Sequence, residues 1–144
     1  MKLRHLAKWT DQRRERARAY DELFAHAPRT LILPYVPWWS RPVHHLYVVR
    51  VTDRERLQKD LAAAGIGTGI HYPMPLHLTK AYEPLGFRVG DFPVAEQAAS
   101  QVLSLPLFPG LSPDQQDRIA TALLRSLADG SAEQLSGTVP LTSP

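Results

Sequence analysis

The stretch that decides the fold runs from residue 43 to residue 72 and reads VHHLYVVRVTDRERLQKDLAAAGIGTGIHY. Its first part, residues 43–51, is rich in β-branched and aromatic side chains, a composition typical of a strand. A charged segment follows in which the leucines recur at helical spacing, and residues 66–72 are expected to form a second strand. The order strand, helix, strand predicts a layered fold in which a helix covers a small sheet.

The helix in this stretch has its own start and stop signals. Thr52 with Glu55 three residues later forms a capping box, which predicts that the helix begins at Thr52. Gly65 is a natural left-handed stop at the other end. The face that should be buried is made of residues at helical spacing, Leu57, Leu61 and Ala64.

Further elements are predicted on both sides of this stretch. Apolar spacing and the positions of the 13 prolines divide the rest of the chain into short segments. They predict a helix over 6–26, a strand over 31–33, a short helical turn over 79–85, a helix over 94–102 and an extended piece over 103–107. Ahead of the first helix's apolar face, Leu3, Leu6 and Trp9 lack obvious partners, which fits either a missing neighbour or a frayed terminus.

The strongest helix start in the chain is at Ser112. A serine cap is followed by Pro113 at the first helical position, and Gln115 closes the capping box. The face that should enter the core contains Ile119, Ala120, Leu123, Leu124 and Leu127. Gly130 is expected to end this helix, and no apolar period continues beyond it.

These elements predict an α+β fold. We expect a small mixed or antiparallel sheet with helices packed on one face, preceded by a long N-terminal helix. The predicted domain organisation is a basic linking helix over 1–27, an α+β small domain over 28–129 and a disordered tail over 130–144.

Composition excludes several classes of protein. The chain of 144 residues has no cysteine, so disulfide scaffolds, iron–sulfur clusters and thiol nucleophiles are ruled out. No apolar run approaches 18 residues, so no membrane association is expected. The expected location is the cytoplasm. Residues 1–30 hold eight Lys or Arg against four Asp or Glu, whereas the rest is almost balanced. A basic excess confined to one helix argues against nucleic-acid binding.

The segment with the most promising polar side chains is 69–77, GIHYPMPLH. Its two prolines stiffen an extended piece that carries two imidazoles, His71 and His77, and the phenol of Tyr72. These groups can hydrogen-bond a sugar hydroxyl or a phosphate oxygen. The same pattern also fits a rigid structural connection, and the residues alone do not decide between the two.

Other candidate sites are weaker. Gly65, Gly67 and Gly69 follow a helix rather than a strand and lack the spacing of a dinucleotide fingerprint. The adjacent His44 and His45 should point to opposite faces of a strand, so they cannot share a metal. No serine lies in a nucleophile-elbow motif, and no lysine has an obvious desolvating environment.

Four blocks of sequence resemble the C-terminal part of the DegT/DnrJ/StrS family, the nucleotide-sugar aminotransferases that use pyridoxal 5′-phosphate. They are Arg13-Arg14 with Ala17 and Tyr20, then HLYVVR at 45–50, then GIGTGIHYP with PLH at 65–77, and FPVAE through LSLP at 92–106. The resemblance covers roughly residues 5 to 128.

The resemblance implies a fold type I aminotransferase of which this chain is the small C-terminal domain. The cofactor lysine and the phosphate cradle would belong to a large domain absent from this chain, so no catalytic or cofactor-binding residue is expected here. His71, Tyr72 and His77 would border the substrate cleft. The family reaction implied is transfer of an amino group, typically from glutamate, to a keto-sugar nucleotide.

Two interpretations of the chain remain open. In the first, it works only with the missing large domain or a partner subunit, is inactive alone, and belongs to an enzyme that is a homodimer. In the second, it is a free-standing interaction or small-ligand-binding module that keeps the small-domain fold. A self-sufficient core would favour the second, and an unpartnered N-terminal segment the first.

Overall fold

The computed structural model describes the backbone of residues 1–136 and the side chains of residues 1–130. The main elements are α1 (Leu6–Leu23), β1 (Tyr47–Arg50), α2 (Arg54–Ala63), α3 (Pro93–Gln101), β2 (Val102–Leu105) and α4 (Pro113–Ser136). Short 3-10 segments occupy Lys2–His5, Leu76–Leu78 and Lys80–Leu85. The last of these confirms the helical turn expected over 79–85.

The sheet is antiparallel and small. Strand β1 pairs with β2 so that Tyr47 lies opposite Leu105 and Arg50 opposite Val102. Single bridges extend the sheet on each side, from Ile32 to Arg50 and from Gly69 to Ser104. The α+β fold class is therefore confirmed, with the sheet antiparallel.

The strands are shorter than the sequence predicts. The expected strand over 43–51 contracts to Tyr47–Arg50, and the strands expected over 31–33 and 66–72 are reduced to the two bridges. Local chemistry explains why the two outer strands are reduced to bridges. Pro34 has no amide hydrogen with which to extend the first ladder, and glycines within the second weaken it.

Helix α2 begins at Arg54, with its capping residue one position later than the sequence predicts. The capping residue is Asp53 rather than Thr52, because the Asp53 side chain accepts a hydrogen bond from the backbone amide of Arg56. The Asp53 carboxylate also pairs with the Arg56 guanidinium at 2.9 Å. The predicted stop is confirmed, since Gly65 has a φ of +73° and ends the helix in the left-handed region.

Helix α4 begins as predicted but does not end as predicted. The Ser112 hydroxyl accepts from the Gln115 amide and the Gln115 side chain accepts from the Ser112 amide, which confirms the capping box. Gly130 was expected to end the helix, and this is wrong, because α4 continues through it to Ser136. A Cβ at Gly130 would overlap the Arg56 guanidinium, so this glycine leaves room for the Arg56 side chain against the surface of α4. Residues 137–144 of the predicted tail lie outside the described residues.

One continuous core joins α1, the two strands, α2 and α4. Helix α1 enters it through Ala17 and Tyr20, and the Tyr20 hydroxyl donates to the carbonyl of Pro106 at 2.9 Å. The other fully buried large side chains are Tyr47, Val49, Val51, Leu57, Leu61, Leu103, Leu123 and Gln116. The second half of α1 is thus part of the packed core.

Candidate functional site

The segment that carries the predicted site residues runs along the edge of the sheet beside β2. Gly69 and Ser104 exchange both backbone hydrogen bonds, at 3.1 and 2.7 Å. After this bridge the chain leaves the sheet as His71 and Tyr72, which are joined by a cis peptide bond. The sheet edge therefore fixes where the segment starts.

His71 is exposed to solvent yet held in place. Its Nδ1 lies 2.9 Å from the hydroxyl oxygen of Ser104, a residue that is only 4% exposed. The ring lies close against Gly69, where any Cβ would collide with the His71 Cε1 at 2.6 Å. The sheet thus anchors one ring nitrogen and leaves the rest of the imidazole accessible.

Tyr72 lies beside His71 and is 74% exposed. The two rings meet edge to face with their centroids 5.7 Å apart. Met74 and Leu76 continue an exposed apolar strip along the same segment. A group of neighbouring large apolar side chains that are exposed to water is typical of a surface that binds a ligand or another part of a protein.

His77, unlike that exposed strip, is buried. It is 9% exposed, and its Nε2 donates to the Glu96 carboxylate at 3.1 Å. The ring also packs against Phe92 with a centroid distance of 4.8 Å. Of the three predicted site residues, the structure brings His71 and Tyr72 together and places His77 in a buried contact with α3.

Glu96, which local sequence patterns did not single out, organises the segment that follows His77. Its carboxylate accepts hydrogen bonds from the amides of Gly90 and Phe92 as well as from His77. The bond from Gly90, with those from Phe92 and His77, holds the pKa of Glu96 below its ordinary value. A glutamate in the first turn of α3 was the local signal of such capping.

The remaining histidines near the sheet form no site with these residues. His44 is half-buried and has a φ of +49°. Burial lowers the pKa of His44, the positive charges of Arg14 and Arg18 act in the same direction, and Asp21 opposes them. Among the described residues no cluster of three or more His, Asp or Glu side chains is arranged to hold a metal.

The lysines do not fit a pyridoxal phosphate site. All four, Lys2, Lys8, Lys59 and Lys80, are exposed on the surface. A Schiff-base lysine needs a desolvated pocket and a group that pairs with the cofactor's pyridine nitrogen. Lys8 borders an open groove with His5, Trp9 and Gln12, and no carboxylate lines that groove. These lysines therefore offer no place for the cofactor.

An exposed and partly apolar groove lies at the N-terminal end of α1. Leu6, Trp9, Val43 and Pro109 line an open groove of about 340 Å³. Leu6 and Val43 are each 55% exposed, and Leu3 is more exposed still. Leu3 and Leu6 are therefore exposed at the start of the chain, whereas Trp9 is half-buried and its ring centroid lies 5.4 Å from that of His5.

The geometry and the fold define a class of protein. Solved structures of sugar aminotransferases superpose on this chain, and its small antiparallel sheet with packed helices matches the small domain of a fold type I aminotransferase. The chain belongs to the DegT/DnrJ/EryC1/StrS aminotransferase family, whose model matches residues 1–124.

Individual relatives agree with this assignment. The chain is 42% identical over 123 residues to the erythromycin biosynthesis sensory transduction protein EryC1 of Saccharopolyspora erythraea, covering 85% of this chain and 33% of that protein. It is 40% identical over 126 residues to the dTDP-3-amino-3,6-dideoxy-alpha-D-galactopyranose transaminase of Aneurinibacillus thermoaerophilus, covering 87% and 33%. The chain spans about a third of the length of the curated relatives it matches.

The structural comparison gives the same picture. The crystal structure of DesV from S. venezuelae in complex with a ketimine intermediate superposes with a TM-score of 0.79 at 36% identity, covering 96% of this chain and 34% of DesV. Separately, no helix in the described part of the chain is both long and apolar enough to cross a membrane.

Proposed function

We propose that this chain is the small-domain part of a pyridoxal phosphate-dependent aminotransferase that transfers an amino group, from glutamate, to a keto-sugar nucleotide. The observation that carries the proposal is the match to aminotransferases along nearly the whole chain but only a third of their length. One relative, from Acidithiobacillus ferrooxidans, is named for a UDP-sugar with a 3-dehydro group, and another is named for a dTDP-sugar. A soluble, cytoplasmic enzyme of nucleotide-sugar metabolism is consistent with both names.

The cofactor would be bound by residues outside this chain. Pyridoxal phosphate, when bound to such an enzyme, acts as the electron sink that lets an amino group leave one carbon and join another. The exposed positions of all four lysines support a cofactor site built by residues outside this chain. In the proposal, residues 28–129 are the small domain, and residues 1–27 link it to a large domain or a partner subunit of a homodimeric enzyme.

His71 and Tyr72 are the side chains we propose to contact the sugar nucleotide. Both are exposed, adjacent and able to hydrogen-bond an oxygen atom, and His71 is anchored by Ser104. His77 has its Nε2 engaged by Glu96, so we propose that it acts within the same site by fixing the course of the segment. The apolar strip of Met74 and Leu76 beside them would exclude water when the cleft closes.

Adding pyridoxal phosphate and borohydride to the purified chain tests whether the cofactor site is absent. Reduction traps any Schiff base as a stable adduct, and mass spectrometry locates it. We expect no stoichiometric adduct on Lys2, Lys8, Lys59 or Lys80. A site-specific adduct at full occupancy would overturn the proposal that the cofactor lysine lies elsewhere.

The second candidate function is a free-standing binding module with the same fold. The observation in its favour is the well-formed core, in which Tyr47, Leu57 and Leu103 are fully buried within the chain's own residues. It predicts that the purified chain is monodisperse and unfolds cooperatively. It also predicts that the chain binds a nucleoside diphosphate by itself. If titration with dTDP and UDP gives no saturable signal, the aminotransferase-part proposal is preferred.

A further inference from the structure

Ser104 occupies an unusual position for a serine. It lies in the middle of β2, is 4% exposed, and uses both of its backbone groups in the bridge to Gly69. Its neighbours along the strand, Leu103 and Leu105, are core residues. A buried hydroxyl in such a place is costly unless it makes a hydrogen bond.

The hydroxyl of Ser104 makes that bond to His71. Its oxygen lies 2.9 Å from the His71 Nδ1, across 33 positions of sequence. Within residues 1–130, no other hydrogen-bond partner of this hydroxyl is present. The bond between these two groups therefore has to satisfy the serine by itself.

The direction of this bond follows from the inventory of donors and acceptors. A neutral imidazole carries one proton, and the nitrogen without it is an acceptor. If Nδ1 held the proton and donated to Ser104, the buried hydroxyl hydrogen would have no acceptor. If the hydroxyl donates to Nδ1 instead, the hydroxyl hydrogen and Nδ1 are both satisfied, and the imidazole proton is on Nε2.

The position of the ring reinforces this arrangement. The imidazole lies directly over Gly69, so close that a Cβ there would collide with Cε1. The same residue pairs with Ser104 through the backbone. Gly69 and Ser104 thus fix both the plane of the ring and the partner of Nδ1, while Nε2 has no hydrogen-bond partner in the described part of the chain.

We propose that Ser104 is the positioning residue of His71: its hydroxyl donates to Nδ1, so that Nε2–H is presented as a hydrogen-bond donor to an oxygen of the substrate. This proposal rests on the proposed function for the identity of the ligand. It adds that the site prefers ligand groups that accept a hydrogen bond. A donor at Nε2 selects an acceptor such as a phosphoryl, carbonyl or hydroxyl oxygen. A ligand group that can only donate would leave Nε2–H unpaired.

The tautomer of His71 can be measured directly by nitrogen–proton correlation NMR of the ¹⁵N-labelled chain in mildly alkaline buffer, where neutral imidazoles predominate. The signals of His71 are assigned by their absence in His71→Gln. We expect Nδ1 to resonate as an unprotonated acceptor nitrogen and Nε2 as a protonated one. A spectrum with the proton on Nδ1 would overturn the proposal, whatever the variants show.

Three substitutions test the cause of that tautomer. Ser104→Ala removes the donor and Gly69→Ala pushes the ring away from it, so both should shift His71 toward a mixture of tautomers. Ser104→Thr keeps a hydroxyl and should restore the wild-type pattern. Ser100→Ala is the matched control, because the Ser100 hydroxyl donates to the Gln97 carbonyl and does not touch His71.

The outcomes of these variants separate a positioning role from a merely structural one. If Ser104→Ala is folded and leaves the His71 nitrogen signals unchanged, Ser104 does not set the tautomer and the proposal fails. The spectra are recorded without substrate or cofactor. Failure of the aminotransferase proposal would therefore leave this result intact, and failure of the tautomer prediction would leave the aminotransferase proposal intact.

Discussion

The carboxylate of Glu96 accepts a 3.1 Å hydrogen bond from the Nε2 of His77 and thereby joins the two ends of an exposed chain segment. Residues 80–92 between them are all exposed. The same carboxylate receives the amides of Gly90 and Phe92, so one side chain closes the far end of the segment. The other contacts described for this segment, such as the Arg88 amide to Asp91 and the Phe87–Phe92 ring pair, are local, so its order should depend on Glu96.

Replacing Glu96 with Ala should make residues 80–92 more open to proteases while the core stays folded. Three backbone and side-chain donors lose their acceptor, and exposed segments with few contacts open locally at low free energy. Limited proteolysis at low enzyme ratio, followed by mass spectrometry, measures the cleavage rate. Glu83→Ala is the control, since Glu83 is an exposed carboxylate in the same segment. Equal rates in the two variants would contradict the role of Glu96.

The stability contributed by Glu96 should depend on pH in a defined direction. Hydrogen bonds from Gly90, Phe92 and His77 lower the pKa of its carboxyl from the ordinary value of 4.5 in the folded chain. The contribution is therefore present above that value and is lost as the pH falls through the folded-state pKa. Denaturant unfolding across this range should show a weaker pH dependence for Glu96→Gln than for the wild type. An identical pH dependence would show that the carboxylate is not held in this way.

How much of this arrangement the sequence could predict is seen by comparing two glycines. Gly65 was expected to stop α2 and does so, because the left-handed conformation is a local property of one residue. Gly130 was expected to stop α4 and does not. A glycine is needed at this position because the Arg56 side chain, from another helix, packs against it. Local sequence patterns contain no information about such a contact.

The same distinction applies to the candidate site. His71 and Tyr72 could be selected because their polar groups lie in a short, proline-stiffened segment. Their supporting residues could not, since Ser104 is 33 positions from His71 and Glu96 is 19 positions from His77. The LSLP block did place one polar residue between buried leucines, and that was the available signal for Ser104.

Gly130→Ala should destabilise the protein, although alanine is ordinarily favoured over glycine in a helix. A Cβ at this position would overlap the Arg56 guanidinium, which donates to the Ser126 carbonyl at 3.0 Å and pairs with Asp60 at 2.9 Å. The guanidinium is the far end of a flexible side chain and can move aside, so the loss is limited to these hydrogen bonds, about 0.5–1.5 kcal/mol each. Thermal and urea unfolding would measure the loss.

Two companion variants make the Gly130 prediction specific. Gly67→Ala should change stability little, because a Cβ at Gly67 would meet nothing within 4 Å. The double variant Arg56→Ala, Gly130→Ala should be no less stable than Arg56→Ala alone, since the overlapping group is gone. An additive loss in the double variant would mean that the guanidinium is not the cause.

Tyr47→Phe should remove one of the stronger hydrogen bonds of the core. The Tyr47 ring is fully buried and its hydroxyl donates to the Asp21 carboxylate at 2.6 Å. Hydrogen bonds to charged groups contribute about 1.5–3 kcal/mol, and the free energy of unfolding should fall by that order. Burial and the neighbouring carboxylate also raise the pKa of Tyr47, so the hydroxyl stays protonated and remains a donor. Tyr35→Phe, at an exposed position, is the control and should have no effect.

The groove at the start of α1 yields a prediction that separates folding from assembly. Leu6→Ser and Val43→Ser replace half-exposed apolar side chains, so the stability of the chain alone should change by less than about 0.5 kcal/mol. If this surface meets the proposed cofactor-binding domain, both variants should weaken co-purification with a co-expressed large domain from a related enzyme. Leu23→Ser, on the far end of the same helix, should leave co-purification unchanged. Equal recovery of all three variants would show that this groove is not where that domain binds.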